Sequence, residues 1–217
     1  MASHSRTRAA AEPVWPALLG LAAVAALYES LPERLTPGPS WVLPAIIVVL
    51  LAPIMLAYRM QRHSVYLVLG ISLNAVITVA VVWSLAALIA GLPVKRETPA
   101  DLLRSAVALW SSNVLVFASW YWRLDAGGPL RRAERSTHTN GAFLFPQMTF
   151  PPNSPLADAG WKPGFVDYLF LAFNTSTAFS PTDVPVLSRW AKLLMMVQSC
   201  ISLSTIAILA ARAINIL

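Results

Sequence analysis

The side chains able to do chemistry in this chain are sparse, and they recur at helical spacing. Gln198, Ser202, Thr205 and Arg212 fall at i, i+4, i+7 and i+14, a stripe one helix face wide. Gly70, Asn74 and Thr78 stand four apart, while Ser105, Ser112 and Ser119 stand seven apart with Asn113 beside them. Ahead of the first stripe, the run Asn174-Thr175-Ser176-Thr177 closes an apolar segment and precedes Asp183. Polar groups in apolar surroundings must bond one another or line water, so the stripes turn inward, and two readings follow. In the plainer one they are adhesion between helices, at roughly 1 kcal/mol or less per contact. In the sharper one Asn174, Thr175, Ser176, Thr177, Gln198, Ser202 and Thr205 line a polar passage, with Asp167 and Asp183 drawing cations to its mouths. The two aspartates also have a plainer role, pairing with Lys162 and Arg189 or capping helix ends.

The sequence reads as a non-enzyme. It carries no G-x-S-x-G, no H-E-x-x-H, no phosphate-binding glycine loop, and no pair of carboxylates placed to share a proton within an apolar stretch. One cysteine, Cys200, and three scattered histidines, His4, His63 and His138, give no disulfide framework, metal site or haem site, so no cofactor is expected.

The elements that position these residues follow from composition. Of 217 residues, 57% are hydrophobic and 12% charged, about half the charge of a soluble domain, which leaves too little polar surface for a water-soluble globule. The net charge of +6 comes without a nucleic-acid-binding module, so its partner is a bilayer. A hydrocarbon core about 30 Å thick needs about 20 apolar residues in a helix. Five such spans are expected, at about 13–31, 41–58, 65–91, 102–122 and 190–212, in an all-α bundle forming one integral membrane domain. The third is longer than a perpendicular crossing needs, so it tilts or ends near Gly91-Leu92-Pro93. Trp15, Trp41, Tyr58, Trp120, Tyr121, Trp122 and Trp190 are placed as interfacial anchors. The basic amino end also fits a signal peptide, but Ala23-Val24-Ala25 lies inside the apolar run, which favours an uncleaved span.

Residues 123–164 read as a loop rich in proline and arginine, docked on the membrane surface through Phe143, Phe145, Met148, Phe150 and Trp161. From Phe165 to Phe179 the chain is apolar and then polar. Fifteen residues reach about 22 Å, short of a crossing, and Pro181 and Pro185 stop the helix, so the segment is expected to be re-entrant.

A short amphipathic helix, a threonine-rich turn, an acidic residue and a cation-led last helix resemble the pore-loop module of two-helix potassium channels. The stretch from Trp110 to Leu217 more closely resembles a bacterial membrane family known as domain of unknown function thirteen-forty-five. The residues that carry this resemblance are Asp167, Tyr168, Leu169, Phe170, Phe173, Phe179, Thr182, Asp183, Arg189 and Asn215. It implies five spans with a pore-loop-like insertion and lends no activity. A potassium filter is not expected, because Thr175 to Asp183 holds no glycine for the positive φ such a loop uses.

The positive-inside rule places the amino end in the cytoplasm of a bacterial inner membrane, with eleven Lys and Arg inside and five outside (Arg34, Lys95, Arg96, Arg104 and Arg212). Two functions are expected of such a chain. One is channel-like or transport activity through the polar passage. The other is that of a non-conducting scaffold or partner subunit working through helix packing and the 123–164 loop. Self-association and a protein partner at that loop go with these readings.

Overall fold

The computed structural model describes residues 12–92, 98–135, 138, 141–151, 154, 160–177 and 184–214. Seven α-helices lie in these segments: α1 (Trp15–Glu29), α2 (Val42–Arg59), α3 (His63–Gly91), α4 (Pro99–Leu124), α5 (Gly128–Glu134), α6 (Phe165–Thr177) and α7 (Arg189–Ile214). Four of them, α2, α3, α4 and α7, are long and apolar enough to cross a membrane, so this is an all-helical protein of membrane character. The lipid-compatible surface is plain, since Val48, Val49, Leu56, Val68, Val79, Trp83, Leu193 and Met196 all point outward.

α1 differs from the expected span. It has 15 residues rather than the nineteen of 13–31, about 22 Å of helix, because Leu31-Pro32 turns the chain directly after Ser30. α3 ends at Gly91, where the glycine and proline signal placed its end, and its 29 residues still reach about 43 Å, so it tilts or projects.

α4 is the central helix, packed against α1, α3, α6 and α7. Its start is fixed by Thr98, whose Oγ1 accepts from the Asp101 amide at 3.2 Å, followed by Pro99 in the first turn. Its end is set by three successive residues with positive φ, Ala126 (51°), Gly127 (85°) and Gly128 (86°), which no right-handed helix can include. A Cβ at Gly128 would sit 2.8 Å from the Arg123 carbonyl oxygen, so only glycine allows this close turn. The stretch read as a loop from residue 123 therefore starts as helix, breaks at 126–128 and resumes as α5.

α6 opens on a half capping box, in which the Gly164 amide donates to Asp167 Oδ2 at 2.7 Å. Asp167 thus takes the capping role. α6 and α7 run side by side in the same direction. Near their starts, Tyr168 and Trp190 both meet the Phe143 ring, at 6.1 and 6.0 Å, while further along Ser202 donates to the Ser176 carbonyl at 2.7 Å. The chain before α7 is clipped to the segment after α5. Leu144 N donates to Pro185 O at 2.9 Å and Leu187 N to Ala142 O at 2.7 Å, making an antiparallel bridge between Phe143 and Val186.

The starts of α1, α3, α6 and α7 and the ends of α2 and α4 share one end of the bundle. Tyr58 near the end of α2 reaches the Glu12 carbonyl, Trp122 near the end of α4 reaches the Glu12 carboxylate, and Phe165 packs edge-on against Trp122.

Candidate functional site

Two polar assemblies share α4. The first lies midway along the bundle, where Gln198 is completely buried. Its Nε2 donates to the Ala172 carbonyl at 2.6 Å and to Ser176 Oγ at 2.8 Å. Its Oε1 accepts from the Tyr121 hydroxyl at 2.5 Å, and its main-chain oxygen accepts from Asn113 Nδ2 at 3.1 Å. One side chain of α7 therefore ties α4 and α6 together, with both donors and the acceptor of its amide engaged.

The remaining residues of the expected passage have local partners. Thr205 donates to Ile201 O at 2.8 Å, Thr175 to Leu171 O at 2.8 Å and Thr177 to Phe173 O at 2.9 Å, each within its own helix. Asn174 is half-buried beside them, and Asp183 lies outside the described residues. On the opposite flank of α4, Ser119 donates to Asn74 Oδ1 at 3.0 Å and Trp120 Nε1 to Thr78 Oγ1 at 2.9 Å. The two stripes of the third and fourth spans thus meet each other.

The second assembly is charged and sits at the end of α4. Arg132, on α5, folds back so that Nη1 donates to the carbonyls of Trp122 (2.8 Å) and Asp125 (2.9 Å), and Nη2 meets Glu12 Oε2 at 2.9 Å. Those carbonyls are among the last in α4, which has no further turn to bond them, so the guanidinium closes the helix end. Its Cζ also lies 5.2 Å from the Tyr168 ring centre.

Asp125, fully buried between the end of α4 and the break, accepts from the Tyr168 hydroxyl at 2.6 Å and the Ala142 amide at 2.5 Å. His138 Nε2 stands 3.2 Å from its Oδ2, an ion-pair distance with the ring N–H angled off the carboxylate. A Cβ on Gly141 would fall 2.6 Å from His138 Nε2, so glycine there makes room for the pair. Burial works to raise the Asp125 carboxyl, but His138, Tyr168 and the Ala142 amide outweigh it and hold the group below its ordinary 3.8. Around this carboxylate pack the aromatic rings that follow it, with Phe143 and Phe145 buried and Trp161 at 5.5 Å from Phe145. Of the residues expected to dock this stretch on a membrane surface, Phe143, Phe145, Met148 and Trp161 pack instead against the helix bundle.

Arg123, one turn before the break, is only 2% exposed and has neither a carboxylate nor a carbonyl partner among the described residues. It lies between the rings of Tyr66 (5.4 Å) and Trp122 (5.6 Å). Gly70 lets it in, because a Cβ there would stand 2.8 Å from Cζ and overlap Nη1. A second, larger cavity of about 410 Å³ lies between α2, α3 and residues 36–39. It is lined by apolar side chains such as Leu43, Ile46, Val79 and Trp83, and has no charged group.

The sequence had marked Tyr121 and Trp122 as interfacial anchors. Both are core residues here, at 0% and 2% exposure, because the second half of α4 is enclosed by α1, α3, α6 and α7, whereas Trp15 and Trp41 stay exposed. Sequence reasoning missed Asp125 and Glu12 altogether and took Arg123 and Arg132 as topology signals alone. The clue available was a carboxylate followed by Gly127-Gly128 directly after a span. Of the residues that carry the family resemblance, Asp167, Tyr168, Leu169, Phe170 and Phe173 lie on α6, while Phe179, Thr182, Asp183 and Asn215 lie outside the described residues. Comparison with protein-family models, with curated proteins and with solved structures finds no match.

Proposed function

We propose that this chain is a non-conducting membrane scaffold or partner subunit of the bacterial inner membrane, with its amino end in the cytoplasm. One observation carries the reading: Gln198 uses its amide on Tyr121, Ala172 and Ser176, so the strongest polar group of the expected passage is occupied by neighbouring helices instead of facing water. The orientation is supported by charge, because Arg59, Arg62, Arg123, Arg131, Arg132, Arg135, Lys162, Arg189 and Lys192 belong to the end of the bundle where α2 and α4 finish and α3, α6 and α7 begin. The re-entrant reading of α6 draws support from its 13 residues, about 20 Å, and from its parallel course beside α7. Residues 141–151, on the same end, offer the surface for a partner or a second copy.

Reconstitution into liposomes at high protein density tests this. The expected result is no flux of potassium, sodium, chloride or small neutral solutes above empty vesicles, together with recovery of a partner or oligomer that is lost when residues 146–151 are replaced. The channel-like reading, with α6 and α7 lining a path, replaces this one if flux appears and Ser176→Ala or Gln198→Leu changes its selectivity.

A further inference from the structure

We propose that Arg123 and Tyr66 form a binding site for a single small monovalent anion of chloride size, in the cleft between α1, α2 and the end of α4. The cleft is lined by Ala17, Leu18, Leu21, Leu51, Ile54 and Met55 on its apolar side and by Tyr66 and Arg123 on its polar side. Arg123 Nε and Nη1 are buried and, among the described residues, without an acceptor. The guanidinium that carries them lines one small space beside Tyr66.

Charge makes this arrangement incomplete as it stands. A buried cation with no counter-ion is strongly disfavoured, and flanking aromatic rings offset only about 1–2 kcal/mol of that. The nearby carboxylates are engaged elsewhere. Glu12 is held by Arg132 and the Trp122 indole, and Asp125 by Tyr168, His138 and the Ala142 amide. Water supplies an acceptor and no net charge, so it leaves the guanidinium uncompensated.

Size selects the anion. The inner volume is about 20 Å³, where about 10–15 Å³ is needed for one water-sized occupant, so a monatomic halide fits and a phosphate does not. The otherwise apolar lining favours a weakly hydrated anion over a strongly hydrated one. Gly70 holds the guanidinium in reach of the cleft, because any side chain there displaces it. The site is independent of the scaffold reading, since binding without passage and binding with passage both satisfy it.

The test uses the full chain purified in detergent without chloride. Thermal midpoints are measured on adding sodium chloride, bromide or gluconate at matched ionic strength, and again in nanodiscs with phosphatidylglycerol or phosphatidylcholine. Chloride and bromide are expected to raise the midpoint by about 5–10 °C at hundredfold excess over Kd, with gluconate inert. Arg123→Met abolishes the rise and is at least as stable as the halide-free parent. Gly70→Ala weakens it at least tenfold in halide concentration. Should Arg123→Met not fold, a bromide anomalous-scattering peak beside Arg123 in the parent protein serves instead, as does loss of the rise in Leu51→Trp, which fills the cleft. Equal rises with gluconate, an undiminished rise in Arg123→Met, bromide density elsewhere, or stabilisation by phosphatidylglycerol alone would each overturn the proposal, the last reassigning Arg123 to a lipid phosphate. Chloride flux in liposomes would remove the scaffold reading and leave the site standing. A missing halide effect would remove the site and leave the scaffold.

Discussion

The middle of α4 and its end solve the same problem in opposite ways. Around Gln198 the polar groups are neutral and mutually bonded, so helices are joined with little net charge buried. At the end of α4, charges are buried outright: Arg132 with three acceptors and the Tyr168 ring around it, and Arg123, nine residues earlier, with no acceptor among the described residues. Neutral bonded groups fix the register of helices whatever the solvent. Buried charge depends on every partner staying in place, so this end of the molecule is the one open to ions, pH and ligands.

That contrast predicts an order of effects. Arg132→Ala has the largest, because it strands Glu12 and two helix-end carbonyls at once. A loss of about 3–5 kcal/mol in unfolding free energy is expected, with early proteolysis after residue 125, and an unchanged melting curve would refute the helix-closing role. Gln198→Leu comes next at about 2 kcal/mol, since it orphans the Tyr121 and Ser176 hydroxyls. Combining it with Tyr121→Phe should add little further loss, and full additivity would show that the two side chains act separately. The smallest effect concerns pH. Because the Asp125 carboxyl is held below its ordinary value, the stability it contributes is complete above about pH 5 and is lost as pH falls through the lowered value. Asp125→Asn should flatten the acid limb of a stability–pH curve, and an identical limb in that variant would assign acid sensitivity to other groups.

Sequence periodicity found the membrane character and the placement of α2, α3, α4, α6 and α7 to within a few residues, because an apolar run bounded by proline, glycine or arginine is a local signal. The inward stripes were legible for the same reason, and Asn74 does meet Ser119. What stayed hidden is pairing at a distance. Glu12 and Arg132 are 120 residues apart, and Asp125 and Tyr168 are 43 apart, with no spacing rule to join them. Positive-inside counting also masked the difference between Arg131, which is exposed, and Arg123 and Arg132, which are not. Burial of Tyr121 and Trp122 was likewise invisible, since an aromatic triplet at a span's end reads alike whether it meets headgroups or other helices.

The short bridge between Phe143 and Val186 has a mechanical consequence. It fastens the lead-in of α7 to a segment that Asp125 grips through the Ala142 amide, directly beyond the end of α4. Any piston-like sliding of the last helix past the central one must first unzip two main-chain hydrogen bonds at the rim.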